Sequence, residues 1–220
     1  MSNNNMETIQ YHEMIQYVKE KLLQYDQAQS DGKNIVQYNR FDHTMRVYHW
    51  MQILYDGFPQ KEQIDIEALS VATIFHDIGY CEVENIHNHA AIGAEYCREY
   101  LKQNNYDAAR TDFICDLIAR HSDKKNMYDI PMELVLLREA DLLDDTGAQG
   151  LVFDIWMETA CKRDVSFESI LKHMEKYTVR LMQDNPMRTE KAKEIWEEKR
   201  KLTEAFVKSY RKDLQGPENM

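Results

Sequence analysis

Apolar side chains recur every three or four residues along most of the chain, which is the period of a helix with one buried face. The clearest stretches are residues 43–54, 69–76, 114–121 and 134–141. No Asn-Gly or Asp-Gly hairpin stands between alternating strands, so antiparallel hairpins are not indicated. The pattern therefore predicts a chain built from helices.

Capping residues, glycines and prolines divide this pattern into nine predicted helices. Gly79 is interpreted as a left-handed cap that ends the third helix, and Asn88 as the N-cap of the fourth. The predicted helices cover about 6–29, 39–56, 60–79, 89–104, 107–121, 131–145, 149–160, 167–182 and 190–214.

Composition supports long helices in one domain, because the 220 residues include only 7 glycines and 4 prolines. No Ser/Gly linker, repeat or low-complexity tract divides the chain. The last helix is amphipathic, and we interpret it as packing against the others. Binding to a partner is the alternative interpretation.

Charge and targeting patterns narrow the class of protein further. The formal net charge is −11 and no basic stripe is visible, so we expect no binding to a nucleic-acid polymer. We see no signal-peptide pattern and no apolar run of membrane-spanning length, so no membrane is expected. The 4 cysteines form no CxxC pair, which favours reduced thiols and a cytoplasmic location.

Five separate stretches place a histidine or aspartate on the apolar side of a predicted helix. A single such histidine is more often a hydrogen-bonded core residue, but burying several ionisable groups is costly unless they are paired or bind a metal. Mixed histidine and aspartate ligands suit Fe, Mn, Co, Ni or Zn. The predicted ligands are His43, the adjacent pair His76 and Asp77, His89, His121 and Asp141.

The sequence motifs around these residues resemble those of the HD-domain superfamily of metal-dependent phosphohydrolases. The resemblance covers about residues 39–155. In chain order the motifs are HTMRV, ATIFHDIG, HAAIGA, IARHS and READLLDDTGAQG. The ordered set is similar to the six-ligand subset of the superfamily, which can hold two metals. The resemblance implies an all-α, single-domain helical bundle over residues 1–220 with a central metal site. The N-terminal helix and residues 165–214 would pack on its core.

The resemblance also implies a division of the ligands between one or two divalent ions. His43, His76, Asp77 and Asp141 would bind the first ion. Asp77 would bridge to a second ion held by His89 and His121, and would orient the attacking water. The implied reaction is hydrolysis of a phosphate ester, nucleotide-like or otherwise small, by a metal-bound hydroxide.

Four further residues are candidates for binding a phosphorylated substrate. Arg46 follows His43 by one turn and is a candidate catalytic residue, while Lys124 and Lys125 follow His121. Tyr80 stands where many relatives have lysine, and it is a candidate substrate-binding residue. Two other functions remain open, a di-iron oxygenase with the same ligands and a non-enzymatic nucleotide-binding module. The many methionines and tyrosines are compatible with a homodimer.

Overall fold

The computed structural model describes residues 11–23, 40–82, 87–124 and 127–215. These residues are mostly helical and contain no strand, so the predicted all-α fold is confirmed. Among the helices within these ranges, none combines the length and the apolar character that crossing a membrane requires.

The helices follow one another along the chain as nine α-helical segments within the described residues. Short 3-10 turns lie at Lys61–Gln63 and Ile78–Cys81, and a π-helical turn at Glu175–Val179. The α-helices are α1 (described over 11–23), α2 (Arg40–Asp56), α3 (Ile66–Phe75), α4 (His89–Gln103), α5 (Ala108–Arg120), α6 (Met132–Asp144), α7 (Gly147–Cys161), α8 (Phe167–Met174) and α9 (Glu190–Leu214).

The chain divides into two compact units, residues 1–140 and 141–220, and α6 runs through the boundary. In the first unit α3 packs against α2, α4 and α5, and α4 also packs along α5. In the second unit α7, α8 and α9 pack on one another around an apolar cluster of Leu151, Ile170, Leu171, Met174 and Val207. The expected single domain over residues 1–220 stays a prediction.

Helix α3 is the central element of the first unit, because every residue from Ala68 to Phe75 is buried. Its start is fixed by Asp65, whose carboxylate accepts a 3.0 Å hydrogen bond from the amide of Ala68. Arg110 of α5 donates to both oxygens of the same carboxylate, at 3.0 and 2.5 Å. Glu133 of α6 accepts the backbone amide of Asp65 at 2.9 Å. These contacts fix the helix that leads directly into His76 and Asp77.

Gly79 differs from its predicted role as a left-handed cap. Helix α3 ends at Phe75, Gly79 lies in the following 3-10 turn, and Gly147 is the glycine with positive φ among the described residues. A Cβ atom on residue 79 would lie 2.0 Å from the carbonyl oxygen of His89 and 2.7 Å from the amide nitrogen of Gly93. Glycine is therefore needed for the close approach of α4.

Two other predicted boundaries are close to the observed ones. Helix α4 begins after Asn88 as predicted, but the Asn88 side chain makes no capping hydrogen bond. Helix α9 begins at Glu190 as predicted, and the hydroxyl of its N-cap residue Thr189 accepts the amide of Ala192 at 3.4 Å. Capping residues therefore indicated where these helices begin, although not every cap forms its bond.

We expect Gly79→Ala to destabilise the first unit by about 1–3 kcal/mol or more, because backbone atoms of α4 occupy the space of the new methyl group. Thermal unfolding would measure the effect. Gly57→Ala is the control, since Gly57 is exposed and its φ is not positive. Equal unfolding midpoints for the two variants would contradict the close approach.

The ionisation of Asp65 should make the stability of the fold depend on pH in acid. Burial raises the pKa of Asp65, but the hydrogen bonds from Arg110 and Ala68 outweigh burial and lower it. The ionised carboxylate therefore stabilises the fold above the ordinary value of about 3.9, and this contribution is lost as pH falls through the lowered pKa.

We therefore expect Asp65→Asn to lower the free energy of unfolding at neutral pH, with a deficit that shrinks below about pH 3.9. Urea unfolding at several pH values would measure it. Asp116→Asn, at an exposed position on α5, is the control. A deficit that does not change with pH would rule out this ionic contribution.

Candidate metal centre

Asp77 lies among four histidines of the first unit, and only 3% of its surface is exposed. Its Oδ2 atom lies 3.4 Å from Nε2 of His43 and 3.7 Å from Nε2 of His76. Its Oδ1 atom lies 3.7 Å from Nε2 of His89 and 3.5 Å from Nε2 of His121. The two oxygens of one carboxylate therefore face two different pairs of imidazoles.

Helix positions explain this convergence. His43 lies on the buried face of α2, and His76 and Asp77 directly follow α3. His89 is the first residue of α4, and His121 directly follows α5. His43, His76 and His121 are at most 2% exposed, whereas the His89 side chain is 15% exposed. His89 is therefore the most exposed of the four imidazoles.

Two backbone carbonyl groups orient two of the imidazoles. Nδ1 of His76 lies 2.8 Å from the carbonyl oxygen of Thr73, and Nδ1 of His121 lies 2.7 Å from that of Ile118. A carbonyl oxygen only accepts hydrogen bonds, so each Nδ1 has the proton. In the neutral ring the lone pair is then on Nε2, the atom that faces Asp77. This is the tautomer that binds a metal through Nε2.

The charge of Asp77 is balanced by its surroundings. Burial raises the pKa of Asp77, but the charge of His76, a hydrogen bond with His121 and the charges of Arg40 and His43 hold it well below its usual range. The carboxylate is therefore ionised although it is buried. Arg40 supplies part of the compensating charge through its ion pair with Asp77, and a bound divalent cation would supply more.

Within the first unit, the ligand atoms form two groups that are compact enough for an ion. One atom each from His43, His76 and Asp77 lie within 4.8 Å of one another, and so do atoms of Asp77, His89 and His121. Nitrogen and oxygen donors of this kind suit Fe, Mn, Co, Ni or Zn. The residues therefore fit a divalent metal, with Asp77 shared between the two groups.

Arg40 is a neighbour of this cluster that the sequence did not indicate. Its Nη1 atom donates to Oδ2 of Asp77 at 3.2 Å, and its guanidinium carbon lies 3.8 Å from the centre of the Tyr80 ring. The Tyr80 ring stacks on His89 with centroids 4.3 Å apart. The available signal was spacing, since Arg40 lies one helical turn before His43.

The roles of the remaining predicted site residues stay predictions. Asp141 is 5% exposed on α6 and is the first residue of the second unit. Arg46 is half-buried on α2, and Lys124 is half-buried in the segment after α5. Lys125 lies outside the described residues.

One protein-family model matches the middle of this chain. Residues 40–146 match the HD domain. The chain therefore contains an HD domain over these residues. The matched interval includes all six predicted ligands and Arg40, so the HD domain and the histidine cluster lie in the same part of the chain.

Solved structures are similar to this chain over nearly its whole length. YpgQ from Bacillus subtilis has a TM-score of 0.68 at 20% identity, covering 96% of this chain and 98% of that one. Its complex with ADP has a TM-score of 0.67 at 20% identity, covering 96% and 97%. An HD-superfamily hydrolase from Bacillus thuringiensis has a TM-score of 0.68 at 18% identity, covering 96% and 99%. At such identities the similarity shows a common fold. No curated protein matches the chain.

Because Asp77 belongs to both ligand groups, we expect substitutions of different ligands to change the metal content differently. With two ions per chain, His121→Ala should lose one and His43→Ala the other, while Asp77→Ala should lose both. Elemental analysis of protein purified without chelator or metal-binding tag would measure this. His49→Ala, at an exposed position on α2, is the control. A single ion that survives His121→Ala would reduce the site to the group containing His43.

Proposed function

We propose that this chain is a metal-dependent phosphohydrolase that cleaves a phosphate ester of a small, nucleotide-like substrate. The observation that supports the proposal is the shared carboxylate of Asp77, whose Oδ2 faces His43 and His76 and whose Oδ1 faces His89 and His121. A carboxylate placed in this way can bridge two cations and offset the repulsion between them.

The proposed ligand set contains six residues. The first ion would be held by His43, His76, Asp77 and Asp141, and the second by Asp77, His89 and His121. Asp141 is included because of its sequence motif and because the HD-domain match extends to residue 146. Its burial on α6 is compatible with that role.

The side chains of the site perform the binding and the orientation. Bound divalent cations would lower the pKa of a coordinated water towards neutrality and balance the charge of the phosphoryl group. Asp77 would accept a hydrogen bond from that water and orient it. The carbonyl groups of Thr73 and Ile118 keep His76 and His121 in the orientation that binding requires.

We further propose that Arg46 adds positive charge at the substrate phosphate, and that Lys124 and Tyr80 contact the rest of the substrate. The net charge of −11 does not oppose an anionic substrate, because bound cations reverse the local field. We propose a cytoplasmic protein that binds neither a nucleic-acid polymer nor a membrane and that can form a homodimer. YpgQ, which has the same fold, was solved with ADP, so nucleotides are the first substrates to test.

We expect Asp77→Asn to reduce metal-dependent hydrolysis by at least about 100-fold, because it removes the charge that two ions share. Phosphate release from a panel of nucleotides and simple phosphate esters, with Mn-, Fe-, Co-, Ni- or Zn-loaded protein, would measure it. Asp56→Asn is the matched control, since Asp56 is exposed at the end of α2.

Three results would redirect the assignment. Undiminished hydrolysis by Asp77→Asn would contradict the role of the shared carboxylate. Oxygen consumption by iron-loaded protein, without phosphate release, would favour a di-iron oxygenase. Tight nucleotide binding without turnover would favour a non-enzymatic binding module.

A further inference from the structure

We propose that the second unit contains a binding site for a small organic phosphate, and that this site shares no residue with the metal centre. The site is a cavity of about 450 Å³ formed by α7, α8 and the π-helical turn, and we call it the α7–α8 cavity. Four of its side chains are basic and two are apolar: Lys162, Lys172, His173 and Lys176, with Met157 and Tyr177.

The first argument is a local concentration of positive charge on an acidic protein. The chain has a formal net charge of −11, yet Lys162, Lys172 and Lys176 all line the α7–α8 cavity. Among the described residues, neither Lys172 nor Lys176 forms an ion pair with a carboxylate, and Glu168 interacts with Lys172 only at longer range. Like charges four residues apart on a helix repel each other. A bound anion would remove this repulsion.

The second argument is that a buried carboxylate positions one of the lysines. Glu158 is 1% exposed, and its Oε1 atom accepts a 2.7 Å hydrogen bond from Nζ of Lys162. Its Oε2 atom lies 2.9 Å from Nδ1 of His173, whose Nε2 atom lies 3.6 Å from Oδ1 of Asp154. The ammonium group of Lys162 is therefore held at the cavity, and it still has N–H donors for a ligand.

A structural role explains only part of this arrangement. The contact between Glu158 and His173 joins α7 to α8, and Lys162 adds charge compensation to it. Neither Lys172 nor Lys176 takes part in that contact, and both are exposed at the cavity. Substitution of these two lysines should therefore change ligand binding with little effect on the fold.

The third argument concerns the kind of anion. The cavity volume lies within the range of about 300–1,000 Å³ that is usual for small-molecule sites. Several ammonium groups favour a ligand with more than one negative charge, and a phosphate monoester carries about −1.5 to −2 at neutral pH. A single carboxylate would balance only one of the lysines. The charge of the site therefore favours a phosphate.

The π-helical turn provides a surface for the rest of the ligand. Lys176 and Tyr177 both belong to this turn, a backbone feature that is frequent at functional sites. Tyr177 is 48% exposed, and its ring lies 4.4 Å from that of His173, centre to centre. Nζ of Lys176 lies 4.8 Å from the centre of the same ring. An exposed ring beside a cation suits a phosphate that carries an aromatic or apolar group.

We expect metal-free protein, kept in EDTA, to bind phenyl phosphate with a stoichiometry of one per chain. The combined substitution Lys172→Gln and Lys176→Gln should weaken this binding by about 10- to 100-fold, because it removes two charged hydrogen-bond donors. Isothermal titration would measure the affinities, and circular dichroism would verify that each variant is folded.

The matched control is the combined substitution Lys208→Gln and Lys212→Gln. These lysines are also four residues apart and exposed, but they lie on α9 and do not line the cavity. Their substitution changes the net charge by the same amount, so it measures the general electrostatic attraction of a phosphate. It should leave the affinity for phenyl phosphate within about twofold of the wild-type value.

A second pair of variants tests the contact with the aromatic ring. Tyr177→Ala should weaken the binding of phenyl phosphate and leave that of inorganic phosphate unchanged, because only the first ligand has a group to pack on the ring. Tyr177→Phe should preserve both affinities. Equal affinities of wild-type protein and Tyr177→Ala for phenyl phosphate would overturn the role of this ring.

The outcomes separate this site from the proposed hydrolase. Absence of phenyl phosphate binding without metal, or an equal loss of affinity in the two lysine variants, would overturn the α7–α8 site and leave the hydrolase proposal standing. Asp77→Ala should bind phenyl phosphate as the wild-type protein does. That result, together with loss in the variant at Lys172 and Lys176, would support the site even if no hydrolysis were found.

Discussion

The first unit depends on one buried negative charge, the carboxylate of Asp77. Removing a carboxylate from water is costly unless opposite charges and hydrogen-bond donors surround it. Here four imidazoles and one guanidinium group approach its two oxygens from α2, α4 and the segments after α3 and α5. The packing of these elements and the chemistry of the site are therefore consequences of the same electrostatic requirement.

Rigid surroundings make this arrangement possible. Helix α3 is buried from Ala68 to Phe75, and Asp65 anchors its start to α5 and α6. After the helix ends, Gly79 lets the backbone of α4 approach closely enough to place His89 opposite Asp77. A side chain at that position would separate the two parts of the cluster. The glycine thus contributes to the site without contacting any ligand atom of it.

The helices and the convergence of the histidines could be predicted from the sequence, because both determine which positions along the chain are apolar. His43 and His121 stand on stripes that must be buried, so their side chains were expected to meet. The apolar pattern does not indicate a role for Arg40, since a charged residue at a helix start is usually solvent-exposed. The role predicted for Gly79 was also wrong, because a glycine after a helix can serve either as a cap or as a point of close contact with another helix. Only knowledge of which helix packs there separates the two.

The carbonyl groups that orient His76 and His121 have a consequence for variation. Many metal sites orient their histidines with a carboxylate side chain, which a single substitution can remove. Here the acceptors are the main-chain oxygens of Thr73 and Ile118, which every amino acid provides. The orientation of the two rings is thus encoded in helical geometry instead of in residue identity. Positions 73 and 118 are free to drift among residues that fill the same volume, while the histidines they orient are not.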